Sequence, residues 1–274
     1  MGQVFTWDAV RRGHVPQLES FDRVIDSLRR EITTVPSIVG AIVCGSVTRG
    51  DHTVRSDIDC FVLYDHRHDR AVFSYMQEAS DHAAAQHVPL NFIPCDTLLA
   101  ETRMHHIGIS FAQHLQKSID AGGLLKGNPL ALITPSIHVR DELESYMRKK
   151  MHTLQENWSQ ISTFSEERVA SYLRKLLEAP LHIARKVLAH REPLSLDSKA
   201  YIRKRYRSSM PVDLVSRLDY LIAADEWYTD ELYKALAHPN RHAYRSVLTK
   251  LVDLSPRVLR FVRSNLACIA ATPC

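Results

Sequence analysis

The stretch IVCGSVTRGDHTVRSDIDCFVLYD, residues 42–65, places two aspartates one residue apart at the start of an apolar run. Asp57 and Asp59 precede Cys60-Phe61-Val62-Leu63-Tyr64, which reads as a strand. Side chains two apart on a strand point to one side of the sheet, so the carboxylates share a face. Holding two like charges there costs free energy, and a divalent cation between them reverses that cost, because hard oxygen ligands suit Mg²⁺ (or Mn²⁺). An edge strand with two solvent-facing aspartates is the alternative, but it leaves the Phe61-Val62-Leu63 run unexplained.

Upstream, SIVGAIVCG (37–45) is a second short β-rich run, and it ends in Gly45-Ser46. Glycine there lets the backbone approach a ligand closely. Ser46 offers a hydroxyl and an N–H, SVTRG is expected to open a short helix facing a phosphate, and Arg49 adds a positive charge nearby. One short span thus supplies a phosphate cradle and a metal clamp. That pairing suits in-line displacement at a nucleotide phosphorus.

Outward from this span the pattern alternates. Leu18, Phe21, Ile25, Leu28 and Ile32 fall on one helical face, 69–87 is helix-compatible, VPLNFIPCD (88–96) reads as a third strand, and 109–119 as a helix. AGGLLKG (121–127) follows, with a short last strand or strand pair between turns. After Pro135 no glycine occurs, and long segments show 3.6-residue periodicity. The expected organisation is an α/β core with a mixed sheet over residues 1–135 and a helical bundle over 136–274, with connections near Ser162–Ser165, Pro193–Ser198, Pro211 and Pro239. Pro180 is expected to kink or break its helix.

Of 274 residues, 45% are hydrophobic and 24% charged, ordinary values for a globular protein. No apolar run approaches the length of a membrane span, and the first residues lack an apolar signal core. Met-Gly with Thr6 is formally compatible with N-myristoylation, but the following Trp-Asp and the lack of a polybasic run count against it. Five scattered cysteines (44, 60, 95, 268, 274), never spaced C-x-x-C, point to reduced thiols in a cytoplasm. The 15 histidines form no recognisable ligand motif. Residues 138–274 carry 23 Lys and Arg against 16 Asp and Glu, a net of +7, whereas 1–137 carry 12 against 15, a net of −3. The basic half suggests an anionic partner; Arg-rich solvated helix faces are the plain alternative.

The ordered set Gly45-Ser46, ten intervening residues, then Asp57-Ile58-Asp59 resembles the signature of the polymerase-beta-like nucleotidyltransferase superfamily, in particular its small two-domain members of antibiotic-modifying or toxin–antitoxin type. Arg49-Gly50, Ser56 and the Gly-x-x-Leu-x-Gly of AGGLLKG are similar to the same pattern, and the resemblance covers about residues 18–134. It implies a domain that binds a nucleoside triphosphate through Gly45 and Ser46 and holds metal through Asp57 and Asp59. A nucleoside monophosphate would move to an acceptor presented by the helical half. It also implies a third carboxylate on the next strand, where this chain has Asn91. An amide oxygen ligates a metal weakly and takes no proton near neutral pH. Activity is then reduced or lost, leaving a binding module; or Asp96, Glu101 or Glu142 substitutes; or Asn91 replaces an aspartate by design. In the helical half, YIRKRYR (201–207) interleaves tyrosine with Arg203, Lys204 and Arg205 and is a candidate acceptor-binding segment for RNA; a solvated helix face is the competing reading. Arg185 and His190 resemble the Arg-x4-His ribonuclease motif of HEPN domains, although Lys186 stands where that motif has a polar Asn. Asp225-Glu226 and Asp230-Glu231 are expected on a solvated face. The acceptor, a small molecule, an RNA end or a protein side chain, is left open.

Overall fold

The computed structural model describes residues 2–98, 109–133, 139–191 and 198–270. The chain divides into two compact units: Val15–His138 with Gly2, and Val139–Cys274 with Gln3–His14.

In the first unit, β1 (Ile38–Cys44), β2 (Ile58–Tyr64), β3 (Leu90–Asp96) and β4 (Leu124–Lys126) form one sheet in the order β3-β2-β1-β4. β1 runs antiparallel to β2 and β4, and β2 runs parallel to β3, so the sheet is mixed. β2 is an interior strand, which excludes the edge-strand alternative for the aspartate pair. Alternation along the strands divides the core between two faces. Ala41, Val43, Ile58, Cys60 and Val62 pack with Phe21, Val24 and Leu28 of α2 (Leu18–Glu31) and with Val72, Met76, Ala79 and Ala83 of the helix Asp69–Ala85. Ile42, Cys44, Phe61, Leu63 and Cys95 turn the other way, onto Leu115 of the helix Ile109–Asp120. Among the described residues, Cys44, Cys60, Cys95 and Cys268 form no disulfide.

The α-helices that lie within the described residues are, in chain order, α1 (Trp7–Arg12), α2, α3 (Ser46–Arg49), α4 (Asp69–Ala85), α5 (Ile109–Asp120), α6 (Val139–Ser159), α7 (Glu166–Arg191), α8 (Lys199–Ser209), α9 (Val212–Ala237), α10 (Arg241–Val252) and α11 (Ser255–Ala270). The last six, with α1, make up the helical unit. The first helix therefore departs from the expected 1–135 domain. Buried tyrosine hydroxyls need partners, and the Phe5 backbone supplies them. Its N–H donates to Tyr228 Oη at 3.1 Å, its carbonyl accepts from Tyr244 Oη at 3.0 Å, and the two hydroxyls meet at 2.9 Å. α7 is also not broken at Pro180; it continues to Arg191. Leu176, Leu177, Ala179, Leu181, Ile183 and Ala184 flank the proline and are all buried, and this apolar burial outweighs the hydrogen bond that proline forgoes. The connection expected at Pro193–Ser198 falls largely outside the described residues, whereas those at Pro211 and Pro239 separate α8, α9 and α10 as expected.

Gly123 is set tightly against β1. Its carbonyl accepts from Val43 N–H at 2.8 Å. A Cβ at 123 would run into the Val43 carbonyl oxygen and lie 2.7 Å from Ser118 O and 2.8 Å from Thr48 Cγ2. Two of these obstacles are backbone, which cannot swing aside. Gly123→Ala is therefore expected to lower stability by about 3 kcal/mol, the upper end of the overpacking range, read as a lower urea midpoint at unchanged slope. An unchanged midpoint would show that the β1–β4 edge gives way freely.

Candidate active site

β1 delivers its chain end, and β2 its beginning, to one place. Cys44 pairs with Asp59 across the antiparallel ladder. Between them the chain turns at Gly45, whose φ of 98° and ψ of −150° belong to a region essentially reserved for glycine. A Cβ there would lie 3.8 Å from Asp59 Oδ2, so the turn sits beside the carboxylate. Ser46 then opens α3, a single turn of four residues closed by Gly50 in the left-handed region. So short a helix carries little dipole, and what it offers an anion is individual N–H groups and the Ser46 hydroxyl.

The Ser46 hydroxyl donates to Ser56 Oγ at 3.2 Å, while Ser56 Oγ accepts from Thr53 N–H at 2.9 Å. Ser56 is buried and thereby ties the 51–56 loop to the phosphate-cradle candidate. Its supporting role has no signal in the sequence beyond its place before Asp57, because it acts through a loop geometry that spacing does not specify. Arg49 is not an isolated charge: its guanidinium lies 3.1 Å from Asp51 Oδ1.

β3 runs parallel to β2 with Asn91 directly beside Asp59. The Asn91 amide donates from Nδ2 to Asp57 Oδ2 at 3.0 Å and to Asp59 Oδ1 at 3.2 Å. One amide thus bridges both carboxylates and supplies two donor protons at the point where the pair would otherwise repel. Asp57, Asp59, Asn91, Gly45 and Ser46 all remain partly exposed, while Cys44, Val47, Ile58 and Cys60 around them are buried. The backbone is anchored in the core and the polar ends face outward.

Of the acids considered as substitutes for a third carboxylate, Asp96 pairs with Tyr64 at the far end of β3. It is five residues from Asn91, about 16 Å along a strand and on the opposite face, too distant to serve. Glu101 and the side chain of Glu142 lie outside the described residues. Among the described residues no three His, Cys, Asp or Glu side chains converge as a metal cluster. The donors that do converge, two carboxylates and one amide, are hard oxygen groups of the kind Mg²⁺ takes, and turning the amide over would present Asn91 Oδ1 in place of Nδ2.

The sequence profile of the nucleotidyltransferase domain family matches residues 22–170, more than half of the chain. The chain belongs to that family. In this nucleotidyltransferase-domain protein the match begins within α2 and runs past the sheet into α7. A crystal structure of a candidate nucleotidyltransferase from Sulfolobus solfataricus matches at 20% identity, covering 30% of this chain and 75% of that one, with a TM-score of 0.20. No curated protein matches the chain.

In the helical unit the basic segment 201–207 is divided. Arg203 Nε lies 2.7 Å from Asp219 Oδ1, and Arg207 Nη2 lies 2.9 Å from Asp219 Oδ2. Burial opposes ionisation of Asp219, but the hydrogen bonds from Arg203 and Arg207 prevail and hold its carboxyl below the usual range. Tyr206 is fully buried, with its hydroxyl donating to Asn265 Oδ1 at 2.6 Å, so it offers no stacking face. Arg205 is half-buried, and Lys204 and Tyr201 face outward. Asp225, expected on a solvated face, is buried and paired with Lys199 at 3.6 Å. Arg185 lies on α7, whereas the side chain of His190 lies outside the described residues. No described helix is long and apolar enough to cross a membrane.

Proposed function

We propose that the chain transfers a nucleoside monophosphate from a nucleoside triphosphate to an acceptor hydroxyl, releasing pyrophosphate. The observation that carries this reading is the Asp57–Asn91–Asp59 constellation, held at the start of the interior strand β2 and on its parallel neighbour β3, beside the Gly45-Ser46 turn. The open backbone at Gly45 and the hydroxyl of Ser46 would receive the β- and γ-phosphates. Mg²⁺, held by oxygens of Asp57 and Asp59 with the Asn91 amide oxygen as a weaker donor, would offset phosphate charge and polarise the phosphoryl oxygens. In the transfer, a bond forms from the acceptor oxygen to the α-phosphorus and the bond to the β-phosphate oxygen breaks. Asn91 orients; it takes no proton, so the acceptor's proton passes to solvent or to the acceptor's own groups.

The same amide favours a second reading, a nucleotide-binding module with no transfer activity. Incubating the protein with each α-labelled nucleoside triphosphate, Mg²⁺ and fractionated cell extract separates the two. Label entering a small-molecule, RNA or protein fraction supports transfer and identifies the acceptor class. Tight triphosphate binding with no label in any fraction supports the binding module.

A further inference from the structure

Between α6 and α7 of the helical unit lies a cavity of about 400 Å³. Its walls include Tyr146, Lys149 and Lys150 from α6 and Arg174, Lys175 and Glu178 from α7. Positions 146, 149 and 150 stand three and four apart, as do 174, 175 and 178, so each helix turns one continuous face inward. Four cationic side chains face one carboxylate. Glu178 is already engaged, with Arg174 Nε 3.5 Å from its Oε1.

A lysine drawn into such a place loses hydration and meets like charges. Burial holds the Lys150 ammonium below its usual range; Glu178 pulls the other way, and Lys175 and Arg174 add to the lowering. A further cation stands against one wall residue: Lys186 Nζ is 4.5 Å from the centre of the Tyr146 ring. The Tyr146 hydroxyl meets His182 Nδ1 at 3.4 Å. His182 stays a neutral imidazole near pH 7, pushed down to about 3 by burial and then by Lys150, Arg185 and Lys186. Cations crowded without enough counter-charge form a site that an anion would relax.

We infer that this cavity binds a small phosphate-bearing ligand, a phosphomonoester or diphosphate. Its volume falls within the range of small-molecule pockets, about 300–1,000 Å³. Three ammonium groups and a guanidinium suit an anion carrying more than one charge. The cations line a concavity between two helices, not an extended stripe, which favours a compact anion over a polymer backbone. This inference does not depend on the proposed transfer reaction.

Titrating the full chain with inorganic pyrophosphate in excess chelator, which withholds metal from Asp57 and Asp59, tests it. One saturable site per chain is expected. Lys150→Met with Lys175→Gln should weaken it at least ten-fold, whereas Asp57→Ala with Asp59→Ala should leave it unchanged. Methionine keeps the stem of Lys150 and removes the crowded charge, so the variant is expected to melt no lower than the native chain; if it fails to fold, Lys175→Gln alone, at an exposed position, carries the test. Absence of saturable binding at millimolar pyrophosphate overturns the inference, and so does equal affinity in the lysine variant. Binding confined to single-stranded oligonucleotides with a steep salt dependence also overturns it, because the patch then serves an extended polyanion.

Discussion

Alanine at both Asp57 and Asp59 is expected to lower Mg²⁺-dependent transfer by at least about a thousand-fold, about 4 kcal/mol of transition-state stabilisation. The magnitude follows from what the pair contributes. Both carboxylates lie within hydrogen-bond reach of one amide nitrogen, and they are the acids that the described structure brings together beside the Gly45-Ser46 turn. Removing them leaves the Asn91 amide without these acceptors, but Asn91 is partly exposed and water replaces them. The fold should hardly notice, and relief of like-charge repulsion offsets the lost hydrogen bonds. Thermal melting should therefore change little while calorimetric titration with Mg²⁺ and triphosphate loses its metal dependence. Native affinity for the Mg²⁺–triphosphate complex in the double variant would place the nucleotide site elsewhere.

Asn91→Asp is expected to act in the opposite direction. A carboxylate at 91 stands beside Asp59 in register and within reach of Asp57, adding a stronger metal ligand and a base. General-base catalysis contributes about 10²–10⁴-fold, so turnover on an accepted substrate should rise at least a hundred-fold, with a smaller change in triphosphate affinity. The substitution also carries a signature that activity does not supply. Without metal, a third carboxylate replaces an amide that donated to the other two, and the variant should melt several degrees below the native chain. Mg²⁺ should restore that loss, because a cation binding only the folded state stabilises it. A variant with native turnover and a melting temperature indifferent to Mg²⁺ would show that position 91 takes no part in metal binding.

Much of the α/β unit was legible because its signals are local. The short β-rich apolar runs in residues 37–45 and 59–65, the turn glycine at 45 and the i, i+2 spacing of Asp57 and Asp59 each depend on a few neighbouring residues, and backbone geometry converts them directly into strands and faces. The helical half announced itself in the same way through its 3.6-residue period. The family was legible only as a set, Gly-Ser followed by Asp-x-Asp, and the family match includes that region.

Tertiary structure decided what depends on partners distant in the chain. The bridge from Asn91 to both aspartates needs the parallel register of β2 and β3, which strand pattern alone leaves open. Ser56 supports Ser46 through a loop closure, and the segment before α1 joins the helical unit through the Phe5 backbone, which bonds the Tyr228 and Tyr244 hydroxyls more than 200 residues away. Tyr206 and Arg203 looked alike in a basic, aromatic segment, yet one is core and the other is bound to Asp219. The cation-lined cavity likewise needs two helices side by side. Local periodicity specifies which face of an element is apolar, but the free energy of a polar side chain depends on what stands opposite it. Only the packed chain brings that partner into place.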